Sequence, residues 1–379
     1  MFSDRSKLYK EIENNTKRPL IVYVTSQRDG AVGQMAGDAI NELIDQVEQI
    51  KIAGKKEIDI LIESFGGDPL VSLRMMSILR ENFEKVNVII PHSAYSAATL
   101  LALGADSIIM GRYGCLGPID PQITVKQKDG TVKQFAYEDI LSFLDFTKND
   151  AGLTEQSHLA TAFKLLGESV EPSSLGFAKR SSSLSVTIGE ILLKMHMGEV
   201  EGKLQAKSIA EKLNKSFFSH GHALNRKDAQ ALGLNIEVPS DELEKLMWDV
   251  HLDFEKELEV RIPFDPTALF LSHKDATDYL KVPAPIDIPP MQQPYSDVVI
   301  NATMNFVQNQ LTVTGPEVEI EIKSALIEST HFSSENYAKY RIMVVRDWNL
   351  NFNTRLVRLE GSWRKIIIKT KNASNKTRK

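Results

Sequence analysis

Four short apolar runs at residues 20–25, 57–63, 86–90 and 107–110 alternate with helix-like patterns, and this alternation constrains the fold more than any other feature. The runs (LIVYVT, EIDILIE, VNVII, SIIM) are rich in β-branched residues. A near-continuous apolar run suits a strand buried on both faces. Within residues 35–52, Ala39, Ile40, Leu43, Ile44, Val47 and Ile50 fall on one helical stripe. Residues 70–83 and 97–105 supply the next two helices. Strands and helices at such short spacing predict parallel pairing through right-handed crossovers, and so an α/β layered domain.

Beyond residue 110 the pattern loosens. Residues 123–135 read as a β-hairpin around Asp129-Gly130. Residues 137 to about 215 read as mainly helical, with loops near 150–152 and 198–202. Residues 225–237 predict a short helix, a stop at Gly233 and a final strand. A polar amphipathic helix is expected over 241–258. Proline then becomes dense, from Pro263 to Pro294, and predicts an extended linker. From about residue 298, alternation in VEIEI, YRIMVV and RLVRLEG suggests a small, mostly antiparallel β domain. The expected division is 1–258, a Pro-rich linker over 259–297, and a β-rich accessory domain over 298–379.

Composition narrows the function. The chain has 42% hydrophobic and 25% charged residues and a formal charge of −5, which gives no global pull toward nucleic acid or an anionic membrane. The basic stretch from Arg364 to Lys379 reads as a solvated tail. Cys115 is the single cysteine, so no intrachain disulfide can form, and a reducing, cytoplasmic setting is expected. It reads as a small buried residue, not a nucleophile. Neither a signal peptide nor a membrane span is expected. The eight histidines show no metal-ligand spacing, and Gly30-x-x-Gly33 lacks the phosphate-loop residues. The expectation is therefore no metal and no cofactor.

Two segments carry chemistry. SFGGDP and HSAYSAATL each follow a predicted strand and precede a predicted helix, which places both at one carboxyl edge of the sheet. Ser96 sits at the second corner between small residues, as a nucleophile elbow requires, and a helix N-terminus favours developing negative charge. At the first corner, Gly66-Gly67 lets the backbone expose amides, so the Gly67 and Ala97 N–H groups can form an oxyanion hole. Alternatively, Ser96 caps its helix and the glycines only turn the chain.

These residues also carry a family resemblance. SFGGDP, HSAYSAATL, LALGADSIIMG and LGPIDPQ together resemble the Clp protease/signal-peptide-peptidase superfamily over roughly residues 18–240. Within it, the likeness is greatest to the serine dehydrogenase proteinase family. The resemblance implies a ClpP/crotonase-like β-α-β superhelix with Ser96 as nucleophile and a Gly67/Ala97 oxyanion hole. It further implies Asp120 and His220 as the remaining triad members. His222 lies close enough in sequence to compete as the base. A Ser–Lys dyad, as in signal peptide peptidase A, is a third option, with Lys148 or Lys179.

The leading expectation is a serine peptidase acting on peptide or protein substrates through an acyl-enzyme, assembled as a homo-oligomer, with no nucleic-acid or membrane partner. One alternative is a catalytically impaired ClpP-like scaffold or binding module. Another is a crotonase-type acyl-CoA enzyme, which uses paired amides but needs no serine.

Overall fold

The computed structural model describes residues 2–52, 54–126, 130–198, 201–215, 221–279 and 297–367. The four apolar runs form β1 (Leu20–Thr25), β2 (Glu57–Glu63), β3 (Lys85–Ile90) and β4 (Ser107–Met110). All four pair in parallel, in the order β1-β2-β3-β4.

Both faces of this sheet are covered, which is why its strands read as continuous apolar runs. Ile21, Tyr23, Ile60, Ile62, Val86, Val88 and Ile108 point to one core. Leu20, Val22, Val24, Leu61, Ile89 and Ile109 point to the other. The second face carries α1 (Phe2–Thr16). The crossovers on the first face are α2 (Ala39–Lys51), α3 (Pro69–Asn82) and α4 (Ala97–Leu103). The first of these begins at Ala39, the first residue of its apolar stripe, and Met35 before it is held in an isolated bridge to Gly67.

A hairpin of β5 (Ile123–Lys126) and β6 (Val132–Phe135) follows. Then come α5 (Tyr137–Asp145), α6 (Gln156–Ser169), α7 (Pro172–Lys194), α8 (Glu201–Lys215) and α9 (Arg226–Ala231). The short strand β7 (Ile236–Glu237) extends the parallel sheet beside β4. Helix α10 (Asp241–Glu257) joins α1 on the second face through Leu243, Met247, Val250 and Phe254.

Part of the stretch read as linker is helical. Asp265 accepts hydrogen bonds from the amides of Thr267 and Ala268, and Pro266 opens α11 (Pro266–Ser272). Proline at a first helical position loses no intrahelical bond, so a Pro-rich segment can start a helix. Residues 280–296, the rest of that stretch, lie outside the described residues. A further helix not foreseen, α12 (Asp297–Leu311), precedes the C-terminal strands.

Those strands are β8 (Val318–Glu328), β9 (Phe332–Arg346) and β10 (Phe352–Ile367). They are antiparallel to one another. The first of them pairs antiparallel with β1, with Val22 opposite Glu328 and Thr25 opposite Ala325. The strand-rich C-terminal region therefore continues the central sheet, whose order is β7-β4-β3-β2-β1-β8-β9-β10. The result is a mixed α/β fold with one mixed sheet.

Candidate active site

The corner after β2 and the corner after β3 run side by side. The Ser64 amide donates to Ser93 O (3.1 Å), and the Tyr95 amide donates to Ser64 O (2.9 Å). Below them, the hydroxyls of Ser64 and Thr25 are 2.7 Å apart, and the Gly66 amide donates to Ser64 Oγ (3.0 Å). Buried hydroxyls thus satisfy the backbone of a tight corner that no regular strand could complete.

Gly66 and Gly67 both have φ in the region that favours glycine, +103° and +155°. A Cβ on Gly67 would meet the Met35 carbonyl oxygen at 2.3 Å. The Gly66 carbonyl accepts from the Met35 amide (2.8 Å), and the Asp68 amide donates to Met35 O (2.9 Å). In an extended segment the amide of the intervening residue points the opposite way. The Gly67 N–H is thereby turned away from Met35, and Gly67 and Ser96 both line one cavity.

Ser96 occupies the second corner with φ 52° and ψ −116°, a conformation costly for a residue with a side chain. Its amide donates to Pro118 O (3.2 Å), and its carbonyl accepts from Leu100 N (3.0 Å), so the backbone is fixed on both sides. Thr99 Oγ1 donates to Ala94 O (2.7 Å) and Gly117 O (2.9 Å), tying the helix back onto the turn. The Ser96 side chain makes no capping hydrogen bond to α4, so the helix-cap alternative does not describe it. Ala97 is the first residue of α4, where an amide has no intrahelical acceptor.

A cavity of about 310 Å³ lies over this corner. Ser96, Gly66 and Gly67 form part of its wall, with Gln34, Gln122 and Ser185 as polar lining and Phe65 and Ile119 as apolar lining. Thr124 and Gln134, a directly opposed pair on β5 and β6, close one side. The spacing of catalytic motifs did not single out these lining residues.

Asp120 is buried, and Gln122 Nε2 donates to its Oδ2 (2.9 Å). Nearby, Ser182 Oγ bridges Glu138 Oε1 (3.2 Å) and Asn214 Oδ1 (2.8 Å). Burial, with a smaller contribution from the charge of Asp120, pushes the Glu138 carboxyl up. His220 lies outside the described residues. His222 is exposed, as are Lys148 and Lys179, and none of the three lines the Ser96 cavity. A base lysine needs burial to lower its pKa, and neither candidate lysine has it. Burial pushes the Cys115 thiol up, which suits an inert residue and not a nucleophile.

Across the sheet from Ser96, the same two corners carry a second group of polar side chains. Glu63 is the last residue of β2, His92 follows β3, and His251 projects from α10. One nitrogen or oxygen from each lies within 4.8 Å of the others. His251 Nδ1 and Glu63 Oε2 are hydrogen-bonded at 2.9 Å. Burial pushes His92 down. Burial acts on His251 in the same sense, but the Glu63 hydrogen bond and charge outweigh it and raise His251. Histidine spacing along the chain did not reveal this group, although both Glu63 and His92 stand at strand ends.

The comparisons with known proteins bear on the N-terminal part of the chain. Residues 2–142 match the family described as ClpP-like SDH-type serine proteinase, which bears out the family resemblance over that stretch. Two uncharacterized proteins of Methanocaldococcus jannaschii are similar in sequence. One is 29% identical over 179 residues, which cover 47% of this chain and 51% of the relative. The other is 26% identical over 240 residues, covering 62% and 73%. The chain therefore spans about half the length of the first relative. Among solved structures, a mutant of a membrane-bound stomatin-specific protease is similar at 14% identity and a TM-score of 0.37, covering 60% of this chain and 84% of that one. ClpP1 from Listeria monocytogenes is similar at 13% identity and a TM-score of 0.34, covering 62% and 97%. No helix among the described residues is long and apolar enough to cross a membrane.

Proposed function

We propose that the chain is a serine endopeptidase. Ser96 Oγ attacks the carbonyl carbon of a peptide bond, and the Gly67 and Ala97 amides receive the negative charge that moves onto oxygen. His220, oriented by Asp120, takes the hydroxyl proton and returns it to the departing amine as the C–N bond breaks. Water then attacks the acyl-enzyme by the same route in reverse, releasing the acid and restoring the hydroxyl.

The strained conformation of Ser96 carries this reading. A serine held at φ 52°, making no cap and lining a cavity with Gly67, is hard to explain as a turn residue. His220 has indirect support. Leu213 O accepts from the Ile119 amide (3.0 Å), and Leu224 exchanges hydrogen bonds with Leu116 (3.0 and 2.8 Å). Leu213 and Leu224, which flank His220 in the sequence, are thus both bonded to the segment that carries Asp120.

The substrate class is peptide or protein, and the working form is a homo-oligomer in the cytoplasm. Exposed Phe163, Leu165 and Phe177 on α6 and α7 supply apolar surface suited to contacts between copies. A fluorophosphonate probe tests the reading. Wild type should be labelled, Ser96→Ala should not, and His220→Ala should react about 100-fold more slowly or worse. Absence of wild-type labelling in every oligomeric state would sink the reading and favour a non-catalytic scaffold.

A further inference from the structure

The Glu63, His92 and His251 group is unusual in what it leaves unpaired. Glu63 Oε1 and His92 Nδ1 are fully buried and have no hydrogen-bond partner among the described residues. Glu63 itself is 3% exposed and His251 8%. A buried polar atom without a partner loses its hydration with nothing in return, so two such orphan atoms in one group call for a missing partner. With the His92 proton on Nε2, Glu63 Oε1 and His92 Nδ1 both present lone pairs, and a metal ion accepts both at once.

The donor set is chemically specific. Two imidazoles and one carboxylate suit zinc and neighbouring divalent transition metals, not magnesium or calcium, which prefer all-oxygen ligands. Four-coordinate zinc at about 2.0–2.1 Å from each ligand sets ligand atoms roughly 3.3–3.5 Å apart. The donors already lie within 4.8 Å of one another, with the Glu63–His251 edge at 2.9 Å. The His92 and His251 rings are stacked at 4.5 Å with an interplanar angle of 29°. One ring must therefore turn out of the stack for both to share an ion. His92 is the less buried of the two.

The setting fits a bound ion as well. The three residues line a cavity of about 230 Å³, together with Thr25, Gln27, Glu255 and Arg261, leaving space for a water as a further ligand. Trp248 packs on His251 with ring centroids 4.5 Å apart and braces that ligand. Glu255 and Arg261, paired at 2.8 Å, also line the cavity.

We propose that Glu63, His92 and His251 bind a single divalent transition-metal ion, zinc foremost, which ties α10 to the two corners that carry Gly67 and Ser96. Glu63 directly precedes Ser64, whose hydroxyl holds the Gly66 amide, and His92 begins the turn that ends at Ser96. The ion thus acts as a clamp at the edge of the sheet. It does not require Ser96 to be reactive, and its test reads metal, not turnover.

The experiment uses the full chain, stripped with a chelator, reloaded with zinc or cobalt(II), and passed through a desalting column. Wild type should retain one metal per chain by elemental analysis. Its cobalt form should show the intense visible bands of a low-symmetry, nitrogen- and oxygen-ligated ion, and its thermal midpoint should rise on loading. His92→Ala and Glu63→Gln should each weaken retention by about tenfold or more, since even a partner outside the ligand shell is worth that much. His251→Gln tests the third ligand while keeping a polar group beside Glu63. His158→Ala and His220→Ala should retain metal as wild type does. Wild-type protein that retains none, or retention unchanged in His92→Ala and His251→Gln, overturns the proposal. The wild-type cobalt spectrum keeps the test decisive if a variant fails to fold.

Discussion

A methyl group placed on Gly66 would lie 2.7 Å from the Cβ of Ser96 and 2.9 Å from the Ala97 nitrogen. The two corners are in contact at the point where the proposed nucleophile and amide donors meet. Gly66→Ala should therefore displace Ser96 or Ala97 and strain a φ of +103°. A displacement near 1 Å costs about 100-fold in reactivity. Fluorophosphonate labelling should fall by about that factor while the protein still unfolds cooperatively at a lowered midpoint. Gly37→Ala, which meets nothing within 4 Å, should leave labelling unchanged.

Replacing Ser96 with glycine separates strain from chemistry. The backbone at φ 52°, ψ −116° burdens any residue with a Cβ by roughly 1–3 kcal/mol. Glycine adopts it freely but adds entropy to the unfolded chain. Ser96→Gly should abolish labelling and raise stability by about 1 kcal/mol in chemical denaturation. Ser96→Ala should abolish labelling without that gain. Equal stability of the two variants would show that the serine is not held under strain.

How much of this was legible in the sequence follows from where each feature is encoded. The parallel strands and the two glycine- and serine-bearing corners could be read locally, because burial on both faces leaves an unbroken apolar run and a tight corner demands small residues. Helix α1 could not. It buries Arg5 and Tyr9, and a charged residue inside is visible only through its distant partners. The pairing of Val22 with Glu328 spans nearly the whole chain, so residues 298–379 read as a separate unit although their strands complete the central sheet. The grouping of Glu63, His92 and His251 depends on α10 folding back across β2, and no spacing within the sequence records that.

Arg5 shows what that distant pairing is worth. Its guanidinium makes a bidentate pair with Glu328 (2.9 and 2.7 Å), reaches Asp253 and Glu257 on α10, and lies 4.5 Å over the Phe254 ring. Both Arg5 and Glu328 are fully buried. Removing one partner of a buried pair leaves an uncompensated charge, at a cost of about 3–5 kcal/mol. Arg5→Ala should lose that much in urea denaturation. Arg5→Met with Glu328→Leu should recover part of it, since it removes both buried charges but leaves the hydroxyls of Tyr9 and Ser333 without the Glu328 carboxylate.

The same interface predicts that the C-terminal strands cannot be removed. Leu326 and Ile327 are fully buried, each in a different core, and β8 covers the edge of β1. A chain ending before residue 318 would expose both cores and an unpaired, apolar strand edge, which is an aggregation template. Such a truncation should be insoluble or lack a cooperative thermal transition. A soluble, cooperatively melting fragment would establish residues 1–258 as a self-sufficient domain.

Glu257 gives the protein an acid-sensitive joint. Burial pushes its carboxyl up, but the hydrogen bond from Lys323, followed by the charge and hydrogen bond of Arg5, outweighs burial and holds it at about 2, against an ordinary value of 4.5. A depressed folded-state pKa means that the unfolded chain takes up the proton first. The stabilisation is therefore complete above about pH 4.5 and disappears as pH falls toward about 2, a window worth at most on the order of 3 kcal/mol. Glu257→Gln should be less stable than wild type at about pH 6, and the gap should narrow steadily as denaturation is repeated at about pH 4 and pH 3. A gap that stays constant over that range would mean Glu257 titrates normally and that its contacts with Lys323 and Arg5 contribute through packing alone.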